Sequence, residues 1–232
     1  MKLKKIPYGL SDFKRIKTEN WYYIDKTKYI EEVENESSFL FFLRPRRFGK
    51  SLVLNMLLAY YDIYYKSQFN DIFKDTYILD NPTEEKSRYY CMKFDFSAVD
   101  VTDYKNSFKH NLFETIKEFI GKYKIDFDIQ DYKNPIDALN TIFNICKRFS
   151  YPIYIFIDEY DNFVNKLFVS SLNDYKGLVT DREAFYKEFF TMLKVGTSDN
   201  DSAIRKMFIT GVSPLALFDV TSGNNIGSNV SS

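Results

Sequence analysis

Histidine occurs once in the 232 residues, as His110, and cysteine twice, as Cys91 and Cys146. One histidine gives no basis for a histidine-rich metal cluster, and Ser–His or Cys–His catalysis would hang on it alone. It sits beside Lys109 on a predicted helix face and reads as solvated. The cysteines are far apart with no ligand spacing, and read as reduced core residues of a cytosolic protein. Charge of one sign is also missing: Lys plus Arg and Asp plus Glu both number 32. That balance argues against a general attraction to nucleic acid or anionic membrane. No apolar run approaches the ~20 residues needed to span a bilayer. The start, Met1-Lys2-Leu3-Lys4-Lys5-Ile6-Pro7, is basic without an apolar stretch behind it, so it is not a secretory signal. Glycine is scarce at 8 residues, and neither an internal repeat nor a long low-complexity linker occurs.

What is present suits a folded domain. Hydrophobic residues make up 45%, and the length allows a substantial core. Aromatics reach 19%, with 23 Phe and 19 Tyr, a bias that reads as genome composition rather than function. Trp21-Tyr22-Tyr23-Ile24 predicts a short strand, and Asp25 or Thr27 a cap for a helix over residues 28–33. Ser38 to Leu43 is a short apolar run, fitting a strand buried on both faces. From Lys50 the period turns helical. Further strands are predicted at residues 89–96, 153–157 and 206–209. Helices are predicted at residues 102–122, 135–149 and 181–193, with Pro135 at a first helical position. Strands alternating with helices predict an α/β three-layer sandwich with a mainly parallel sheet.

Between a buried strand and a helix lies Arg44-Pro45-Arg46-Arg47-Phe48-Gly49-Lys50-Ser51. Unpaired backbone N–H groups and the helix dipole make such a helix start an anion site. Gly49 lets phosphates approach the backbone. Lys50 can reach the β- and γ-phosphates, and the Ser51 hydroxyl can ligate magnesium. The usual opening glycine, six positions ahead of the lysine, is replaced by Arg44, and Pro45 lacks an N–H. Arg44, Arg46 and Arg47 can compensate through guanidinium–phosphate contacts. The bland alternative is a basic turn. Farther on, the strand at 153–157 runs into Asp158-Glu159-Tyr160-Asp161. Carboxylates at the carboxyl end of a buried strand are costly unless they have work to do. Asp158 is the candidate for magnesium and Glu159 for the attacking water, with Asp161 in an outer shell or capping a helix.

Those segments, with Ile6-Pro7-Tyr8-Gly9-Leu10-Ser11-Asp12-Phe13, Tyr23-Ile24-Asp25-Lys26-Thr27 and Phe208-Ile209-Thr210-Gly211-Val212-Ser213, resemble the AAA-ATPase-like domain family. Its members are bacterial and some anaerobic eukaryotic proteins, often joined to a PD-(D/E)XK nuclease-like region. The resemblance implies a P-loop NTPase-like fold of the additional-strand class, with the Thr210 strand between the phosphate-loop strand and the acidic strand. It implies ATP and Mg2+ as ligands, residues 44 and 46–52 (Arg44, Arg46, Arg47, Phe48, Gly49, Lys50, Ser51, Leu52) at the nucleotide, and Ser51 and Asp158 at the metal. Lys50, Glu159 and Thr210 would serve hydrolysis, Thr210 as a sensor of the γ-phosphate or the water. Residues 1–38 are expected to pack on the nucleotide site, 39–221 to form the core, and 222–232 to be a poorly ordered polar tail. Segments 9–13 and 25–27 are expected to help cover the base. The family commonly has a Pro shortly after the acidic run, where Asn162-Phe163 stand here. A fifth strand, a lid and a nuclease-like region are expected to be missing, the chain reading as truncated before the lid. Arg182 and Arg205 are arginine-finger candidates by residue type only. The functional expectation is Mg-dependent ATP hydrolysis driving a change in a partner or attached domain. The alternatives are a non-hydrolysing nucleotide-binding module for protein interaction, or a nucleic-acid-binding domain using the arginine-rich loop.

Overall fold

Ile153 to Ile157 is apolar at every position, so cover on both faces is its only stable setting. In the computed structural model every residue of β3 (Ile153–Asp158) is buried, inside a parallel sheet of order β2-β3-β4-β1-β5. The structure describes residues 4–170, 185–197, 201–212 and 228–229. Four strands form the body of the sheet: β1 (Phe39–Leu43), β2 (Tyr90–Asp95), β3 and β4 (Ile204–Gly211). β4 lies between β1 and β3, the order the family resemblance implies. Two residues, Ser228–Asn229, run parallel to Leu40 and Phe41 as a short β5. This overturns the expectation that a fifth strand is missing, and these two residues lie within the stretch expected to be poorly ordered. The rest of that stretch is outside the described residues.

Period-two alternation divides the side chains between two apolar layers. Phe41, Met92, Phe94, Ile155, Ile157, Met207 and Ile209 face one side, against α6 (Tyr104–Tyr123), α7 (Pro135–Arg148), α8 (Asn162–Ser170) and α9 (Phe185–Val195). Leu40, Cys91, Tyr154, Phe156 and Phe208 face the other, against α1 (Phe13–Thr18) and α3 (Lys50–Tyr61). Each fully buried Phe or Tyr there contributes roughly 1.5–3 kcal/mol. α3 is covered by the sheet below and by α1 outside, which is why its buried positions are not confined to one stripe. The amino-terminal segment shares this core, since Phe13 and Ile30 are fully buried. Both cysteines are free and buried, and burial pushes their thiols up, that of Cys146 to about 12. His110 is exposed.

Two local expectations fail for tertiary reasons. Trp21 to Ile24 is not a strand. It makes two backbone bonds, from the Trp21 N–H to the Ile16 carbonyl at 2.9 Å and from the Tyr22 N–H to the Lys5 carbonyl at 2.8 Å, and it pairs with no strand edge. Its aromatics signalled strand preference, which counts only on a pleated surface. Asp25 and Thr27 do not cap α2 (Tyr29–Asn35). The Asp25 carboxylate accepts the Tyr77 N–H at 2.7 Å, and the Thr27 hydroxyl accepts the Ile78 N–H at 3.2 Å. They cap α5 (Tyr77–Asp80) across more than fifty residues, beyond the short helix α4 (Phe69–Ile72). Through these two bonds both side chains are tied to α5. At α3, the Asn55 side-chain amide donates to the Ser11 carbonyl at 2.8 Å. The helix predicted from residue 181 is described from Phe185 onward; residues 181–184, and Arg182 with them, lie outside the described residues.

Candidate nucleotide site

β1 runs into a loop that Gly49 closes. Gly49 has φ +76°, a left-handed conformation in which a side chain is strained, and it starts α3 without a side-chain cap. The first turn of α3 therefore presents backbone donors at the carboxyl edge of the sheet. The Arg44 N–H donates to the Gly211 carbonyl at 3.1 Å, fastening the loop to the end of β4. Arg44 also lies over the Phe42 ring, 5.5 Å from its centroid. Lys50 is almost fully buried, and its ammonium donates to the Pro45 carbonyl at 3.2 Å, folded back across its own loop. Ser51 and Leu52 are half-buried in the first turn, and Arg46, Arg47 and Phe48 are exposed. Arg47 has φ +69°, a strained value for a residue with a side chain.

The acidic turn is bound to the end of β4 rather than free-standing. The Thr210 hydroxyl donates to Asp158 Oδ1 at 2.5 Å and accepts the Glu159 N–H at 3.2 Å. The Tyr160 N–H donates to the Thr210 carbonyl at 3.1 Å. The Val212 N–H donates to the Asp161 carboxylate, 3.1 Å from Oδ2, so Asp161 ties strand to turn and also holds the Asn165 side-chain amide. Glu159 stands at φ +50°, a conformation kept only where the surroundings over-determine it. Here those surroundings are the Thr210 bonds and Asn162, whose amide donates to Glu159 Oε2 at 2.5 Å. Asp158 and Thr210 are both buried.

The structure brings these parts to one sheet edge. Leu43 pairs with Gly211, and Ile157 with Ile209, so β1, β4 and β3 end level. The phosphate-loop strand and the acidic strand are two spacings apart, about 10 Å. Thr210 stands between them, fully buried with its proton committed to Asp158, so it orients the acids. Arg205 is at the opposite edge, about 16 Å of strand from Thr210, too far to reach the site of its own chain. A cavity of about 1050 Å³ also lies at that far edge, between Glu85, Arg88, Lys147 and Lys206, away from the loop and the acids. Cavity size therefore does not mark this site; the backbone donors and the acids do.

One part was invisible in sequence. A Cβ on Gly211 would stand 2.2 Å from Tyr160 Cε1 and 2.9 Å from Asp161 Oδ1. Tyr160 is itself buried and has no room to swing away. Gly211→Ala is expected to cost about 1–3 kcal/mol through overpacking. Urea denaturation would measure it; an unchanged midpoint would show that the turn yields without cost.

An oxygen-only donor set of Ser51 and Asp158 fits Mg2+, which takes one or two protein ligands and completes its shell with phosphates and water. Among the described residues no group of three or more His, Cys, Asp or Glu is arranged to hold a metal. No helix among them is long and apolar enough to cross a membrane.

A parallel sheet with β4 inserted between the loop strand and the acidic strand, and an uncapped helix start at its carboxyl edge, define a P-loop nucleotide-binding domain of the additional-strand class. The model of the AAA-ATPase-like family, described as predicted AAA-ATPase, matches residues 7–221. The chain belongs to that family, which points to nucleotide binding. It is also similar to an uncharacterized protein from the vnfD 5' region of Azotobacter chroococcum mcd 1, 41% identical over 58 residues. That match covers 25% of this chain, and the chain spans only 11% of that protein.

Proposed function

We propose that the chain binds ATP with magnesium at the carboxyl edge of the sheet and hydrolyses it. The bonded Asp158–Thr210–Glu159 triangle, level with the uncapped start of α3, carries this reading. In it the α3 amides and Lys50 hold the phosphates, while Arg46 and Arg47 are available to them from the exposed loop. Lys50 exchanges the Pro45 carbonyl for a phosphate oxygen. Ser51 and Asp158 hold magnesium, which would neutralise charge on the phosphate oxygens. Glu159 takes the proton of the attacking water. Thr210 positions both acids through its hydroxyl, beside the place where the γ-phosphate and the attacking water would meet. Hydrolysis would then drive a change in a partner or an attached domain, nuclease-like in the proteins the sequence resembles. Two buried free thiols support a reducing, cytoplasmic setting.

The Asn162–Glu159 bond favours a second reading, a nucleotide-binding interaction module without turnover, because it holds the carboxylate that would have to receive the proton. Both readings predict that ATP with magnesium stabilises the fold. At a ligand excess of about 100 Kd the gain is about 2.7 kcal/mol. In a chain of this size that raises the melting midpoint by roughly 5–10 °C. No shift at millimolar ATP and magnesium would refute both readings; a shift without phosphate release selects the second.

A further inference from the structure

We propose that Asp95 belongs to the nucleotide site, where its carboxylate accepts a hydrogen bond from a magnesium-bound water between Ser51 and Asp158. This assignment rests on the ATP reading above. Three geometric observations lead to it.

The first is register. β2 pairs with β3 along its whole length, with Asp95 opposite Asp158. Alternation puts both side chains on the α3 face, beyond the Lys93–Phe156 and Cys91–Tyr154 pairs. Adjacent strands are about 4.8 Å apart, so the two carboxylates leave the sheet edge side by side.

The second is the course of α3, which packs over β3 and β4 and meets β2 at its far end. At its far end Asp62 bridges to Tyr89, just before β2 begins. Midway, Lys93 Nζ donates to Asn55 Oδ1 at 3.1 Å. From Asn55 back to Ser51 is four residues, about 6 Å of helix. From Lys93 on to Asp95 is two residues, about 6.6 Å of strand. Both paths advance equally toward the edge, so Asp95 comes level with Ser51.

The third is the state of the carboxylate. Asp95 is half-buried, and its Oδ1 accepts the Ser97 N–H at 2.9 Å. Its Oδ2 has no hydrogen-bond partner among the described residues. The Asp95 carbonyl accepts the Asn111 side-chain amide at 2.9 Å, which fixes the strand end to α6. One oxygen is thus anchored and the other is left for a ligand-side donor. Two neighbouring carboxylates repel, and the half-buried Lys93 ammonium on the same face offsets that. A carboxylate that holds a metal-bound water is the usual outer partner of a hard-cation site.

The test is a magnesium titration of fluorescent ATP-analogue binding to the full chain, unmutated and with Asp95→Asn. Asparagine keeps the acceptor for the Ser97 N–H and removes the charge, and the melting midpoint without ligand checks the fold. The magnesium concentration at half-saturation is expected to rise roughly 10–100-fold, with analogue affinity restored at saturating metal. Asp95→Ser, which can also cap the turn at Ser97, gives a second variant should the asparagine form fold poorly. An unchanged half-saturation in the folded variant, or a loss of affinity that magnesium does not reverse, overturns the assignment. Lys50→Ala runs alongside. If the unmutated chain binds no analogue, the ATP reading falls and takes Asp95 with it. If it binds, needs Lys50, and ignores Asp95→Asn, only the Asp95 assignment falls.

Discussion

Glu159→Gln is expected to cut phosphate release by about 100-fold or more, the share of a rate that a positioned general base supplies. Binding of an ATP analogue should stay within about threefold, under ~0.7 kcal/mol. The substitution is close to isosteric where it matters. Glutamine keeps an oxygen for the Asn162 amide, and the Thr210 hydroxyl still accepts the backbone N–H at position 159. The left-handed backbone there is held by those bonds rather than by the carboxylate's charge, so the turn should persist. Single-turnover phosphate release beside an analogue titration separates the two effects. Undiminished release in the variant would remove Glu159 from the role of base. A parallel fall in binding would mean that the turn itself had collapsed.

Lys50→Ala is expected to weaken ATP-analogue binding by about 10–100-fold. A charge-assisted bond to phosphate is worth roughly 1.5–3 kcal/mol, and each 1.4 kcal/mol is a factor of ten. The fold should survive. Alanine is the best helix former, the Pro45 carbonyl released by the change sits on an exposed residue, and a nearly buried charge is removed. The ligand-free melting midpoint should therefore hold or rise while affinity drops. Equal affinity in the two proteins would place the phosphates elsewhere, and with them the whole reading of the loop.

Much of this site was legible because its signals are local. Ser38 to Leu43 and Ile153 to Ile157 have runs that only a doubly covered strand tolerates, and each is followed at once by its polar segment. Gly49-Lys50-Ser51 sits where a strand gives way to a helical period, so the helix start could be placed to the residue. Asp158 and Glu159 stand where a buried strand stops, and a charge there asks for a reason. The order of the strands came from the family resemblance, and the sheet bears it out. By contrast, Trp21 to Ile24 and the Asp25–Thr27 pair misled local reading. The first has β propensity without a partner edge, and the second caps a helix across more than fifty residues.

The sequence alone determined the alternation of strands and helices, the loop between β1 and α3, and the acids at the end of β3. Each is a matter of periodicity, or of charge at the end of an apolar run, within a dozen residues. Only the tertiary structure decided that Thr210 joins Asp158 to Glu159, that Gly211 is glycine because Tyr160 fills the space beside it, and that Asp95 comes level with Ser51. Those facts depend on strand register and on the line α3 takes across the sheet. Packing of both faces sets these relations, and they bring together residues that the chain itself separates by some fifty positions.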